Sequence, residues 1–183
     1  MRVLAISGSL RRGSHNTQLL HAAQELAPGW VELELYDGLA ALPPYDQDEE
    51  ADPAASVLDL RERIAAADAV LVATPEYNSS IPGQLKNALD WASRPFKENA
   101  LRNKTVAVVG ASPSAYGAMW AQVDLRRVLG SIGARVVETE LAVPNVHERF
   151  DDEGRLLDEE LRGRLAELLR ELAETAAPVG VAA

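Results

Sequence analysis

The residues best suited to hold a small anion are concentrated in one polar segment near the start of the chain. Residues 7–17 read Ser-Gly-Ser-Leu-Arg-Arg-Gly-Ser-His-Asn-Thr, directly before a predicted helix. Backbone N–H groups at the positive end of a helix dipole, together with the guanidinium of Arg11, would suit a phosphate dianion. The same residue types also occur in ordinary helix caps, so a capped surface loop is the alternative.

A second segment, residues 74–91, is suited to a flat ring. It reads Thr-Pro-Glu-Tyr-Asn-Ser-Ser-Ile-Pro-Gly-Gln-Leu-Lys-Asn-Ala-Leu-Asp-Trp. Pro75 and Pro82 stiffen the loop, and Gly83 permits a close approach. A rigid strip of backbone N–H and C=O groups would match the polar edges of a heteroaromatic ring. The alternative is a rigid turn that only begins a helix.

Several other ligand-binding and catalytic motifs do not match the sequence. Gly8 and Gly13 have the spacing of a P-loop, but Ser14 stands where the lysine is required. The dinucleotide pattern GxGxxG is absent, and the segment 110–114 ends in serine, which argues against a GxSxG nucleophile elbow. Nucleoside triphosphate hydrolysis and α/β-hydrolase chemistry are therefore disfavoured.

The composition narrows the class of protein further. The 183 residues include no cysteine and three histidines without metal-ligand spacing, so no metal site is predicted. The net charge of −10 disfavours nucleic acid and anionic membranes as partners. No apolar run is long enough to cross a membrane. These features indicate a cytoplasmic protein.

Short apolar runs alternate with helical patterns along the chain. Val3–Ile6, Ala69–Ala73 and Thr105–Val109 are apolar throughout, which predicts parallel strands covered on both faces. Val31–Tyr36 alternates polar with apolar residues and predicts an edge strand, and Arg135–Val143 predicts a fifth strand. Helical periodicity occupies the intervals and the C-terminal part, around residues 19–27, 57–65, 82–91, 119–132 and 157–172.

This alternation predicts an α/β fold. The expected architecture is a flavodoxin-like open five-stranded parallel sheet of order 2-1-3-4-5, with helices on both faces. Residues 1–175 are expected to form one domain, and residues 176–183 a frayed tail. The ligand of such a sheet lies at the carboxyl ends of the first and third strands, where both polar segments begin.

Taken together, the two segments resemble the NADPH-dependent FMN reductases, a family that includes bacterial quinone, chromate and azo-dye reductases. The resemblance rests on Gly8-Ser9-Leu10-Arg11 with Ser14 and Asn16, on Pro75-Glu76-Tyr77-Asn78, and on the run from Pro82 to Trp91. It extends from Met1 to about Val143. One departure is Gly117-Ala118, where family members often have a pair of glycines.

The resemblance implies a cofactor-binding role for a defined set of residues. The FMN phosphate would be held by Ser9, Arg11, Ser14, Asn16 and Thr17. The isoalloxazine would be lined by Pro75, Glu76, Tyr77 and Asn78, largely through backbone groups, with Ser112 and Gly117 at its other edge. No catalytic side chain is expected, because the hydride chemistry belongs to the flavin. His15 is expected to be a solvated residue at the helix start, and contact with the cofactor is the alternative.

The predicted function is that of an FMN-dependent NAD(P)H oxidoreductase that passes electrons to a quinone, azo compound, flavin or similar small acceptor. NADPH and NADH are both open as co-substrates, and a homo-oligomer (dimer or tetramer) is expected, with Trp91, Met119 and Trp120 at the interface. Two alternatives remain. A flavodoxin-type electron carrier would use the −10 charge to dock basic partners, although Arg11 is atypical of flavodoxin phosphate loops. A non-catalytic flavin-binding module is the other.

Overall fold

The computed structural model describes residues 1–177 and places a parallel sheet at the centre. Its strands are β1 (Arg2–Ser7), β2 (Glu32–Tyr36), β3 (Ala69–Thr74), β4 (Thr105–Ala111), β5 (Arg135–Val136) and β6 (Leu141–Val143). Their order is β2-β1-β3-β4-β5, with β6 also paired to β4, and these pairings are all parallel. The predicted flavodoxin-like order is confirmed.

Helices cover both faces of this sheet and create a hydrophobic core on each side. They are α1 (His15–Leu26), α2 (Ala55–Ala66), α3 (Gly83–Ala92), α4 (Met119–Ile132) and α5 (Glu159–Ala176). One core joins α1 and α5 to the sheet, and the other joins α2, α3 and α4 to its opposite face. Every residue of β3 and β4 is buried, which explains their unbroken apolar runs.

The predicted fifth strand, Arg135–Val143, is wrong in one respect, because it is interrupted. β5 and β6 each pair with β4, and the residues between them leave the ladder. Arg126 of α4 accounts for the interruption. Its guanidinium donates hydrogen bonds to the carbonyl oxygens of Val137 (2.6 Å), Glu138 (2.9 Å) and Thr139 (3.1 Å). A side chain from a neighbouring helix thus satisfies backbone groups that a strand partner would otherwise take.

Trp91 belongs to the core of its own chain, so the expectation that it lies at a subunit interface is wrong. Only 1% of its surface is exposed, and its indole N–H donates to the carbonyl oxygen of Pro43 at 2.9 Å. The ring of Tyr45 packs edge-on against it, with centroids 5.0 Å apart. Met119 and Trp120, in contrast, are 42% and 43% exposed.

The C-terminal helix extends into the segment predicted as a frayed tail, since α5 ends at Ala176. The rest of that predicted tail, residues 178–183, lies outside the described residues. In the part of the chain that the structure describes, no helix combines the length and the apolar character needed to cross a bilayer.

Candidate functional site

A cavity of about 430 Å³ opens at the edge of the sheet where β1, β3 and β4 end. Its volume is within the range of small-molecule sites, roughly 300–1,000 Å³. The lining combines polar and charged residues with backbone from three loops: Ser9, Arg11, Ser14, His15, Asn16, Pro75, Glu76, Tyr77, Ala111, Ser112, Pro113 and His147. This is the topological switch point, at which an open α/β sheet binds its ligand.

Most of the residues predicted to bind a cofactor line this cavity, but Thr17, Asn78 and Gly117 do not. Thr17 faces a separate recess that it shares with Leu10 and Asp37. Its hydroxyl lies 2.9 Å from the hydroxyl of Ser7, at the end of β1. The side chain of Thr17 therefore closes the loop between β1 and α1 rather than facing the cavity.

The loop after β1 starts with a close backbone approach. Gly8 donates its N–H to the carbonyl oxygen of Ala73 at 2.8 Å, which ties the loop to β3. A Cβ atom at Gly8 would come within 2.8 Å of the Leu85 side chain. Further along, the Ser9 hydroxyl accepts a long hydrogen bond (3.3 Å) from the N–H of Arg11. The backbone thus brings Ser9 and Arg11 to the cavity.

Ser14 and the first turn of α1 bring several hydrogen-bonding groups together at one end of the helix. Ser14 is the N-cap residue and is only 2% exposed, yet its side chain makes no capping hydrogen bond. The first N–H to bond back along the helix is that of Gln18, so the preceding N–H groups have no partner within α1. The start of α1 therefore combines a buried hydroxyl that has no capping role, N–H groups without a partner in the helix, and the positive end of the helix dipole. These groups fit a phosphate.

Asn16 lines the cavity but uses its amide for a structural purpose. The Nδ2 atom donates to the carbonyl oxygen of Ala111, and Oδ1 accepts the N–H of the same residue, both at 2.9 Å. This two-bond contact joins the start of α1 to the end of β4. Nδ2 keeps its second N–H, so the phosphate contact expected of Asn16 stays a prediction.

The loop after β3 contains a tight turn. Tyr77 and Ser80 exchange two backbone hydrogen bonds of 3.0 and 3.1 Å, with Asn78 and Ser79 between them at φ angles of 52° and 60°. Two successive positive φ angles define a type I′ turn, in which asparagine is favoured. Asn78 was expected to line a ring, but the structure assigns it to this exposed turn.

The carboxylate of Glu76, in the same loop, contacts the start of α4. One of its oxygens accepts the N–H groups of Trp120 (3.0 Å) and Ala121 (3.3 Å) at the start of α4. The negative charge therefore lies at the positive end of that helix dipole. Its backbone remains available to the cavity, together with that of Pro75 and Tyr77.

The loop after β4 supplies the third wall. Ser112 donates its N–H to Val143 at 3.1 Å, and its hydroxyl is 2.8 Å from that of Ser114. Gly117 has a φ of 58°, and a Cβ there would lie 2.8 Å from the backbone nitrogen of Val143. Gly117 is therefore required by its contact with β6. The next residue, Ala118, is also left-handed at φ 63°, a conformation that costs alanine about 1–2 kcal/mol.

Two histidines border the cavity beside the start of α1, and sequence reasoning missed one of them. His15 is partly buried, not solvated as expected, and its Nδ1 lies 2.8 Å from Oε1 of Gln18. His147, in the short helix Val146–Glu148, has its ring centroid 6.1 Å from that of His15. Burial lowers the pKa of His15, and Arg11 and His147 lower it further, against the opposing effect of Gln18. No motif surrounds His147, so only the tertiary structure reveals it.

An open parallel sheet with a phosphate-suited loop after β1 and a rigid loop after β3 defines a flavodoxin-like protein. The chain belongs to the NADPH-dependent FMN reductase family, whose sequence profile matches residues 1–148. The resemblance found in the two polar segments is thereby confirmed.

Several characterised proteins are similar to nearly the whole chain. An NAD(P)H-dependent FMN reductase of Pseudomonas aeruginosa is 42% identical over 176 residues, which are 94% of this chain and 93% of that protein. A 2-hydroxy-1,4-benzoquinone reductase of a Burkholderia species is 38% identical, with 88% of each chain covered. The structure of FerB, an NAD(P)H:(acceptor) oxidoreductase of Paracoccus denitrificans, superposes with a TM-score of 0.85 at 38% identity, covering 94% of this chain and 97% of FerB.

Proposed function

We propose that this protein is an FMN-dependent NAD(P)H oxidoreductase that reduces quinone-type small molecules. Family membership and the names of the similar proteins support this activity. The structural observation that carries it is the buried hydroxyl of Ser14, which makes no capping bond and lies beside Arg11 at the start of α1. A phosphate on the ligand explains that arrangement.

Different residues around the cavity would hold the phosphate and the ring of FMN. Ser9, Arg11, Ser14 and the free N–H groups of α1 would bind the phosphate. The backbone of Pro75, Glu76 and Tyr77, with Ser112 and Pro113 opposite, would border the ring. FMN held there would supply the two-electron hydride chemistry between a nicotinamide and an acceptor.

The contribution of the protein is to position the reactants, not to add an acid or base. The carboxylate of Glu76 is occupied by the N–H groups of α4, and the two histidines border the cavity near the start of α1, where the phosphate would bind. Hydride transfer requires stacking at roughly 3–3.5 Å, which depends on how rigidly the loops hold both partners. The turn at Tyr77–Ser80 and the contact between Asn16 and Ala111 provide that rigidity.

A homodimer, or a dimer of dimers, is part of this proposal. Large apolar side chains at and before the start of α4 are exposed on one side of the helix: Tyr116, Met119, Trp120 and Val123. Their spacing of three and four residues forms one continuous stripe, of a kind that marks interaction sites. Trp120 belongs to this stripe, and its backbone N–H donates to the carboxylate of Glu76, a residue that lines the cavity. A second copy bound to the stripe would therefore lie near the mouth of the cavity.

Light scattering tests the oligomer. We expect a species of at least twice 19.7 kDa at micromolar concentration, and we expect Trp120→Glu to dissociate it. Trp30→Glu is the matched control, because Trp30 is similarly exposed but lies in the loop before β2. A 19.7 kDa species for the parent protein would contradict the oligomer, and the same loss in the Trp30 variant would contradict its location.

The visible spectrum of the purified protein tests the activity. We expect flavin absorbance that bleaches rapidly on anaerobic addition of NADPH or NADH and returns when a benzoquinone is added. A flavodoxin-type electron carrier, whose main support is the net charge of −10, would carry flavin but react very slowly with either nicotinamide. Slow reduction by both would therefore contradict the proposed activity. A cytoplasmic location, where both nicotinamides are present, completes the proposal.

A further inference from the structure

Three cationic or potentially cationic groups meet in one corner of the cavity, although the chain as a whole has a net charge of −10. Arg11 comes from the loop after β1, His15 is the first residue of α1, and His147 comes from the short helix Val146–Glu148. The two imidazole centroids are 6.1 Å apart. Ser14, whose buried hydroxyl makes no capping bond, borders the same corner.

The orientation of His15 is fixed by its neighbours. Its Nδ1 pairs with Oε1 of Gln18 at 2.8 Å, so Nδ1 carries a proton and Nε2 remains for the cavity. Gln18 packs closely against Gly154, where a Cβ would lie 2.6 Å from the Gln18 amide nitrogen. The ring of Phe150 packs against His15 with centroids 5.6 Å apart.

Three carboxylates of the surrounding segments have other partners, and Glu148, the residue after His147, is exposed. Asp158 accepts from Arg149 at 2.7 Å, and Asp151 accepts from Arg155 at 2.6 Å. The cavity-lining carboxylate, Glu76, caps α4. The charged and titratable groups that act on His15 are accordingly Arg11 and His147, and both disfavour a positive charge on its ring. An arrangement of like charges of this kind is suited to an anionic ligand.

We propose that His15 and His147 join Arg11 in a proton-coupled clamp for the phosphate of FMN. This inference rests on the proposed function and adds two residues that the two sequence motifs do not assign to the phosphate. His15 as an imidazolium would donate a charge-assisted hydrogen bond to a phosphate oxygen, and a ring N–H of His147 would donate a second hydrogen bond.

The physical basis is linkage between proton and phosphate binding. Burial, Arg11 and His147 hold the pKa of His15 below its usual value, so this ring is uncharged in the free protein at neutral pH. A bound dianion would favour the imidazolium and raise that pKa again. FMN affinity must then increase as the pH falls from the His15 pKa of the complex towards the His15 pKa of the free protein. Below the pKa of the free protein, the affinity must level off. The phosphate monoester of FMN takes up a proton below about pH 6 and is then no longer a dianion. The pH range in which the linkage can be measured therefore ends near that value.

Fluorescence titration of the flavin-free protein with FMN tests the clamp. We expect the dissociation constant of the parent to be about two- to threefold lower at about pH 6.5 than at about pH 8, because the bound phosphate raises the His15 pKa from below its usual value. His15→Gln should abolish this difference, and His147→Gln should weaken FMN binding at both pH values. Riboflavin, which lacks the phosphate, should show no such dependence.

His21→Gln is the matched control. His21 lies on the same helix and pairs with Gln24 at 3.1 Å, in the same spacing as His15 with Gln18, but it is exposed and outside the cavity. This variant should keep the pH dependence of the parent. NMR titration of the His15 ring in the parent needs no variant, and its pKa should rise on addition of FMN but not of riboflavin.

The outcomes separate the clamp from the function on which it rests. Tight FMN binding with the same pH dependence in the parent and His15→Gln would overturn the clamp and leave the proposed function intact. A pH dependence confined to the KM for NADPH, and absent for NADH and FMN, would overturn the assignment to the flavin phosphate. Failure to bind FMN at either pH would overturn both proposals.

Discussion

The loop after β1 and the loop after β3 border the same cavity but present different chemistry to it. In the first loop, Ser14 makes no capping bond and Arg11 forms no salt bridge with any group in residues 1–177. In the second loop, the carboxylate of Glu76 caps α4 and Asn78 lies in a tight turn. The first offers side chains to a ligand, and the second offers backbone.

This difference predicts how each loop responds to substitution. Removing a side chain from the first loop should weaken ligand binding through lost charge and lost hydrogen bonds. The backbone groups of the second loop cannot be removed by substitution, so changes there should act through shape and stability. The following variants test this difference between the two loops. The first, Asn16→Ala, is an exception, because it removes a side chain near the first loop but should act mainly on stability.

Asn16→Ala should have the largest effect, and on stability rather than on binding alone. The change leaves the N–H and C=O groups of Ala111 without their partners in a buried position. Each unsatisfied group costs about 1–3 kcal/mol, so for two groups we expect a loss of roughly 2–6 kcal/mol in the free energy of unfolding. Urea denaturation of the flavin-free protein measures it. A loss below about 1 kcal/mol would show that Asn16 does not join α1 to β4 in solution.

Arg11→Ala should have the largest effect on affinity. Loss of a charge-assisted contact weakens FMN binding by roughly 1.5–3 kcal/mol, or about ten- to a hundredfold. Riboflavin binding should change little. The adjacent Arg12→Ala is the control, because Arg12 does not line the cavity. Equal effects of the two substitutions, measured by fluorescence titration, would mean that Arg11 acts only through the overall charge.

Glu76→Ala should reduce stability by about 0.5–2 kcal/mol, because α4 loses the acceptor for two of its N–H groups. Glu76→Gln keeps an acceptor oxygen and should recover most of that loss.

In FMN-saturated protein, Glu76→Gln and Tyr77→Phe should each slow anaerobic bleaching by NADPH by less than about tenfold, against the 10²–10⁴-fold typical of a true acid or base. A thousandfold loss in stopped-flow measurements would assign chemistry to the protein that we assign to the cofactor.

Ala118→Gly should have the smallest effect. Glycine relieves the left-handed strain of Ala118, about 1–2 kcal/mol, but removes a buried methyl group worth about 0.8 kcal/mol. We expect a stabilisation of less than about 1 kcal/mol in thermal or urea unfolding. A clear destabilisation would indicate that the Ala118 methyl group, which packs near Gly110, matters more than the backbone strain.

The sequence predicted what depends on local pattern and on general rules of topology. Apolar runs and helical periodicity were sufficient for the sheet order, and the switch-point rule placed Arg11 and Ser14 beside Pro75–Tyr77. The sequence did not predict contacts between distant segments. The pairing of Asn16 with Ala111 and the packing of Gly117 on β6 join residues far apart in the chain. The interruption of the fifth strand by Arg126 joins neighbouring elements through a side chain that no local pattern identifies.

His147 shows the same limit most clearly. It is a single histidine in a short helix after β6, with no motif around it, and it reaches the cavity only because the chain folds back beside the start of α1. His15 was noticed in the sequence but expected in solvent, since the first residue of a helix is usually exposed. Its burial results from Phe150 and the neighbouring segment, which no local pattern indicates.

The most direct test of the account is the affinity of the parent protein for FMN compared with riboflavin, measured by fluorescence titration at one pH and ionic strength. The two ligands share the ring and differ in the phosphate that Ser9, Arg11, Ser14 and the first turn of α1 are expected to bind. Several charge-assisted hydrogen bonds predict that riboflavin binds at least about tenfold more weakly than FMN. Equal affinity for both ligands would contradict the assignment of this cavity as a phosphate-reading FMN site.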